Sequence, residues 1–188
     1  ETVIGCYRLL CRDVAERAGG FYSQNEFDLT PFLNGAGRHL NIVELGRSCV
    51  HPDFRSGKGI SLMWKGLGAF AARHGIEAMI GCASFSGTDP QAFAQPLSYL
   101  HHHHVGEQAW QVRAYSRHFV DMNMMDADAI DLKAARRALP PLLRGYSRSG
   151  ALVGIGAVID HQFNTVDVFV LMPMQQLSER YRQRYASK

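Results

Sequence analysis

Arg55-Ser56-Gly57-Lys58-Gly59-Ile60-Ser61 stands between a segment of strand character and a segment of helical period. Glycines at such a junction let backbone come close to an anion, and the helix that follows turns unpaired N–H groups toward it. The spacing matches neither the nucleoside-triphosphate loop (G-x-x-x-x-G-K-[ST]) nor the dinucleotide fingerprint (G-x-G-x-x-G), so nucleotide hydrolysis and hydride transfer are disfavoured. A plain turn is the alternative to a phosphate cradle. Before it, residues 40–50 read as a strand that His51-Pro52 terminates. After it, Ile60, Met63, Trp64, Leu67, Phe70 and Ala71 recur at three and four, which predicts a helix over 59–74 with Gly75 as its C-terminal cap. Residues 76–85 are then an apolar run of strand length and 84–90 a turn. Asp89-Pro90 opens a second helix, with Asp89 as N-cap and Phe93, Ala94, Leu97 and Leu100 on one face. This order is that of an α/β unit whose two strands are parallel neighbours joined by a crossover helix, with the ligand near the first turn.

Working outward, the chain opens on a β-branched strand, residues 1–10, whose pairing neighbour is expected to lie outside the sequence at hand, in a longer protein. Gly19-Gly20 is a break, and 21–37 reads as an ordered loop region. Residues 105–138 read as a connecting arm, with Met122 to Met125 flexible and a short helix over 132–139, closed by Pro140-Pro141. Residues 151–159 and 166–172 form an antiparallel hairpin, and a helix over 175–185 ends the sequence.

At 188 residues the sequence suits a single domain, 1–188, and an apolar fraction of 46% is enough for a core without metal or disulfide. Cys6, Cys11, Cys49 and Cys82 form no C-x-x-C pair and read as reduced, cytoplasmic thiols. No apolar run is long enough to span a bilayer. A net charge of +3 permits an acidic partner without calling for nucleic acid.

Val50-His51-Pro52-Asp53-Phe54-Arg55-Ser56-Gly57-Lys58-Gly59-Ile60 resembles the pyrophosphate-binding turn of the Gcn5-related N-acyltransferase superfamily, with one residue more after Arg55 and Ser61 at the last small position. Further matches are Glu44-Leu45-Gly46-Arg47-Ser48-Cys49, Gly81-Cys82-Ala83-Ser84-Phe85, Gly87-Thr88-Asp89-Pro90 and Leu97-Ser98-Tyr99-Leu100-His101-His102. They continue in Pro140-Pro141-Leu142-Leu143-Arg144-Gly145-Tyr146, Phe163-Asn164-Thr165 and Asp167-Val168-Phe169-Val170. Together they resemble the ornithine-acyl carrier protein N-acyltransferases, often labelled hemolysin-like and related to acyl-homoserine-lactone and N-acyl amino acid synthases. The resemblance implies an α/β fold (α+β in some schemes), a mixed twisted sheet flanked by helices, with the family's first strand, two helices and second strand lying ahead of residue 1. It implies transfer of a 3-hydroxyacyl group from acyl carrier protein to the α-amine of L-ornithine, giving lyso-ornithine lipid. The phosphopantetheine-linked donor is then a substrate, no cofactor is tightly bound, and the enzyme works in the cytoplasm, with peripheral contact at the inner membrane. The alternatives are another amine acceptor, an acyl coenzyme A donor, or a non-catalytic module that binds carrier protein or lipid.

An ammonium must lose a proton before it attacks a thioester, and Glu44 is the candidate base; an ion pair with Arg47 or another basic residue is the alternative. Strand alternation sends Glu44 and Arg47 to opposite faces unless the strand bulges, as this superfamily's central strand often does. Backbone N–H groups from Arg47 to Val50 are candidate oxyanion donors. Cys49, Val50, Arg55, Ser56, Gly57, Lys58 and Gly59 are expected at the acyl donor, whose weakened turn suits an arm without nucleotide. Asp89, His101, His102 and Arg144 are expected at the acceptor, where Asp160 and Asp167 are further partners for the distal ammonium. No covalent intermediate is implied, so Cys49 and Cys82 read as packing residues. Four consecutive histidines, His101 to His104, point about 100° apart around a helix and cannot converge on one ion, so no metal is expected there. Arg55 and Lys58, with Arg136, Arg137, Arg144 and Arg148, are candidates to meet an acidic carrier protein. Arg180, Arg182, Arg184 and Lys188 are either a lipid contact or a solvated face.

Overall fold

The structure, a computed structural model, describes residues 2–55 and 58–177, with Lys58 described in its backbone alone. The described strands, in chain order, are β1 (Gly5–Cys11), β2 (Phe27–Asp28), β3 (Ile42–Val50), β4 (Ala78–Ser86), β5 (Arg113–Ala114), β6 (Phe119–Val120), β7 (Leu152–Asp160) and β8 (Thr165–Pro173). They make one mixed sheet in the order β1-β3-β4-β8-β7-β5-β2, with β6 also on β7. The helices are α1 (Arg12–Arg17), α2 (Thr30–Asn34), α3 (Lys58–His74), α4 (Ala94–His104), α5 (Leu132–Ala138) and α6 (Pro141–Ser149).

The expected unit is present: β3 and β4 are parallel and α3 connects them. Gly75 ends α3 at φ 60°, a conformation that costs glycine little. Asp89 accepts from Gln91 N–H at 3.0 Å and Pro90 opens the 3-10 turn that leads into α4, as expected of a cap. β7 and β8 form the antiparallel hairpin, and β8 pairs with β4 over its whole length, from Ala78↔Pro173 to Ser86↔Thr165.

Both faces of the sheet are covered. Val43 and Leu45 of β3, Val166, Val168, Val170 and Met172 of β8, and Trp64 and Leu67 of α3 share one core. Ile42 of β3, Ile80 of β4, and Phe169 and Leu171 of β8 point the other way and pack against Phe21, Phe27, Leu29 and Phe32. Alternating residues of one strand thus serve different cores.

The structure corrects four expectations. The first strand finds its neighbour within this sequence: β1 pairs antiparallel with β3, from Gly5↔Val50 to Cys11↔Val43. The region 21–37 holds α2 and β2, elements too short to show a period, and supplies four buried side chains to the second core. Met122 to Met125 is anchored, because Ser98 Oγ donates to Met122 C=O (3.1 Å) and accepts from the N–H groups of Met124 and Met125 (3.0 Å each). Pro141 begins a helix instead of closing an arm: α6 has Pro at its first turn, where the missing N–H costs nothing, and it ends at Gly150 with φ 91°. The expected final helix falls mainly outside the described residues; Met174–Gln176 form a 3-10 turn.

Candidate active site

β3 and β4 are in register only at Ile42↔Ala78, Val43↔Met79 and Glu44↔Ile80, although the strands run on to Val50 and Ser86. Beyond Glu44 they part. Gly81 stands where they separate: a Cβ there would lie 2.4 Å from Leu45 C=O. A cleft of about 720 Å³ opens in the gap, with Leu45, Gly46, Arg47, Ser48 and Cys49 on one wall and Cys82, Ala83 and Ser84 on the other. The tip of the β7–β8 hairpin, through Asp160, Phe163 and Asp167, and the segment from Tyr22 to Glu26 line it further.

Strand parity explains which side chains enter. Glu44 lies on the Ile42 face, Cys82 on the Ile80 face and Asp167 on the Phe169 face, and the register aligns all three. Arg47 has the wrong parity. It reaches this face because β3 bulges against β1 between the Arg8↔Gly46 and Cys6↔Cys49 pairs, with Arg47 itself at φ 52°. Its guanidinium lies 5.2 Å from the centre of the Tyr22 ring and 5.1 Å from that of Phe163, and among the described residues it has no carboxylate partner.

Glu44 is 1% exposed and its carboxylate is fully engaged. It accepts from Ser23 Oγ (2.5 Å) and Ser23 N–H (2.8 Å) on one oxygen, and from Tyr22 N–H (2.9 Å) and Arg8 (3.2 Å) on the other. A carboxylate with four donors is suited to holding the Tyr22 to Ser23 segment against β3.

Glu26 presents the opposite case. One carboxylate oxygen from each of Glu26, Asp160 and Asp167 lies within 4.8 Å of the others. Burial, and then the charges of Asp167 and Asp160, push the Glu26 carboxyl up to about 7, against a bond from the Cys82 thiol. Burial also raises Asp167, against the pull of the Ser84 and Thr165 hydroxyls. Cys82 itself, raised well above the usual thiol range by burial and then by Glu26, remains a protonated donor between Glu26 and Ser23. The acidic trio has the spacing and charge to hold a cation, whether a metal ion or an ammonium.

The acetyltransferase (GNAT) domain family matches residues 1–65. The chain is 45% identical over 188 residues to the L-ornithine N(alpha)-acyltransferase of Rhodobacter capsulatus, covering 100% of this chain and 71% of that protein. It is 46% identical over 189 residues to the protein of that name from Rhizobium meliloti (100% of this chain, 63% of that one) and 43% identical over 188 residues to that of Brucella abortus (100% and 66%). The chain belongs to the L-ornithine N(alpha)-acyltransferase family. It spans less than two thirds of the length of the Rhizobium meliloti and Brucella abortus relatives. No solved structure matches it.

Of the residues that the family resemblance singled out, the structure brings Glu44, Arg47 and Cys49 to the cleft, with Asp160 and Asp167 opposite. Cys49 is exposed there, its Sγ 3.9 Å from that of Cys6. Val50 and Arg55 are absent from the described lining, and Arg55 Nε closes the turn by donating to Val50 C=O at 3.0 Å. Gly59 is required by close approach, since a Cβ would lie 2.3 Å from Phe54 C=O. Ser56, Gly57 and the Lys58 side chain lie outside the described residues.

The expected acceptor residues Asp89, His101, His102 and Arg144 do not line the cleft. Asp89 is occupied as a cap, and His102 Nε2 meets Met125 C=O at 2.9 Å. Burial, and then His102, lower His101. Arg144 donates to the carbonyls of Arg137 and Leu139 at the end of α5. Asp89 thus caps its own turn, while His102 and Arg144 tie their helices to neighbouring segments. Sequence reasoning passed over Arg8, Tyr22, Ser23 and Glu26, and gave Phe163 only as part of a family match without a role. The one available signal was Asn25-Glu26-Phe27-Asp28, acids set among aromatics in a segment otherwise read as loop.

Proposed function

We propose that this cleft transfers a 3-hydroxyacyl group from the phosphopantetheine arm of an acyl carrier protein to the α-amine of L-ornithine. The observation that carries the proposal is the juxtaposition, in one cleft, of a strand edge freed beyond Glu44, an arginine without a carboxylate partner and an acidic trio. An amide-bearing arm can pair with such an edge as an added strand would. Arg47 takes the amino acid's α-carboxylate, and Asp160 and Asp167 take its distal ammonium. Names of relatives that are L-ornithine N(alpha)-acyltransferases support the acceptor.

Glu26 is the base in this reading. It removes a proton from the α-ammonium, and the freed nitrogen attacks the thioester carbonyl carbon. The N–C bond forms and the C–S bond breaks; the second proton leaves nitrogen for the departing thiolate, so the products are amide and free thiol. Backbone N–H groups of the parted β3 edge are the candidate donors to the oxyanion. Glu44 is a positioning residue, acting through Tyr22, Ser23 and Arg8. The donor is a substrate and no tightly bound cofactor enters. Among the described residues no helix is long and apolar enough to cross a membrane. An acylated amino acid is released most readily at a membrane face, and in this reading the protein works peripherally there, on the cytoplasmic side.

The test is mass spectrometry of lipids formed by the full-length protein from 3-hydroxyacyl carrier protein and ornithine, with lysine, glycine and acyl coenzyme A in parallel. Lyso-ornithine lipid from the carrier-bound donor is the expected product. A product from acyl coenzyme A alone, or from another amine in preference to ornithine, overturns the donor or the acceptor respectively.

A further inference from the structure

α6 turns Leu142 and Leu143 toward the cleft, and with Arg144, Ser147 and Arg148 it lines a second cavity of about 510 Å³. The opposing wall comes from α4 and α5, through Tyr99, His103, His104 and Arg136. Among the described residues no carboxylate lines this cavity and none of its three arginines is in an ion pair. Three guanidinium groups around one small space without a counter-charge repel one another, an arrangement that an anion relieves.

The polar groups are held in place by a connected network. Tyr99, 3% exposed, receives Arg136 Nε on its hydroxyl at 3.0 Å and lies 3.2 Å from His104 Nε2. Ser147 Oγ is 2.9 Å from the same nitrogen, and His104 Nδ1 is 3.2 Å from Ala151 C=O. Arg144 is fixed by two carbonyls, while its Nε is buried and has no hydrogen-bond partner among the described residues. Burial lowers His104, and the charges of His103 and Arg136 add to that against the Ala151 carbonyl, in keeping with an excess of positive charge.

We propose that this cavity is an anion site for a phosphate-monoester group, supplied by a soluble ester or by a lipid headgroup. A tetrahedral dianion offers acceptors in several directions, which matches forked guanidinium donors approaching from two helices and hydroxyls between them; a planar carboxylate satisfies fewer of them. The cavity volume suits a small group held within it, in contrast to a protein surface laid across it.

The experiment is an NMR titration of the His103 and His104 imidazole resonances with methyl phosphate at constant ionic strength. A saturable shift is expected, with affinity at least tenfold weaker in Arg148→Glu and in Arg136→Gln. Arg47→Gln, in the other cleft, keeps the wild-type affinity and separates the two sites. Vesicles of phosphatidic acid in phosphatidylcholine, compared with phosphatidylcholine alone, distinguish the sources: retention that methyl phosphate displaces assigns the headgroup, and soluble binding without retention assigns a soluble ester. The absence of a saturable shift, equal affinity in the Arg148 and Arg136 variants, or loss with Arg47→Gln overturns the proposal.

Discussion

Glu44 and Arg47 face the same cleft although strand alternation assigns them to opposite sides, because Arg47 sits at φ 52° in a bulge where β3 gains a residue over β1. The left-handed conformation costs a non-glycine residue of the order of 1 kcal/mol, which the flanking Tyr22 and Phe163 rings offset by holding the guanidinium between them. The bulge thus converts a strand that serves only packing into one that presents a cation to a ligand.

Loss of that cation should be felt in binding. Arg47→Gln is expected to raise KM for ornithine by about 10- to 100-fold, the worth of a charge-assisted hydrogen bond, with a much smaller change in kcat. Steady-state kinetics with ornithine varied at saturating donor check this; an unchanged KM removes Arg47 from the carboxylate site.

Glu26→Gln should lower kcat by about 10²- to 10⁴-fold and abolish the acid limb of the pH–rate profile, which in the wild type falls below pH 7 as Glu26, raised to about 7, becomes protonated. The stability effect has the opposite sign. A carboxyl raised from 4.5 to about 7 on folding contributes stability below pH 4.5 that is lost as pH rises through 7. At pH 8 the glutamine variant is therefore expected to melt at a higher temperature than the wild type, while at pH 4 the difference narrows. A variant that keeps both its rate and its acid limb excludes Glu26 as the base.

Glu44→Gln is expected to destabilise the protein by about 2–4 kcal/mol, because an amide cannot accept from all four donors and leaves Arg8 facing a buried neutral group. Urea denaturation measures the loss. If Glu44 were the base instead, activity would collapse with stability intact.

Gly81→Ala is expected to cost about 1–3 kcal/mol and to weaken donor binding, since its Cβ would force Leu45 C=O away where β3 and β4 part. Gly66→Ala, a helical glycine with nothing near its would-be Cβ, is the control and should be neutral or stabilising. Thermal melts of the two variants, with and without an acyl donor analogue, separate the effects.

The order β3, α3, β4, α4 was legible in sequence because each element carries its own signal: Ile60, Met63, Trp64 and Leu67 at helical period, Gly75 and Asp89-Pro90 as punctuation, apolar runs of strand length. So was the β7–β8 hairpin. Elements of about one turn or of two residues, such as α2, β2, β5 and β6, carry too few residues for any period to emerge, and their stability comes from the partners they meet.

Residue type and local period by themselves determined that this is a mixed α/β protein built around a parallel strand pair joined by a helix. Tertiary structure alone decided which acids meet. Asp160 and Asp167 sit on the two arms of the β7–β8 hairpin, and Glu26, from a distant segment, is brought to them by the pairing of β8 with β4 and by the packing of Phe21, Phe27 and Phe32 beneath the sheet. Asp89, His102 and Arg144, equally plausible by type, were turned to a cap and to carbonyls instead, and His101 packs edge-on against His102. A side chain's chemistry is set by the groups within a few ångströms of it, and those neighbours are chosen by register and bulge across the sheet, which no local stretch of sequence encodes.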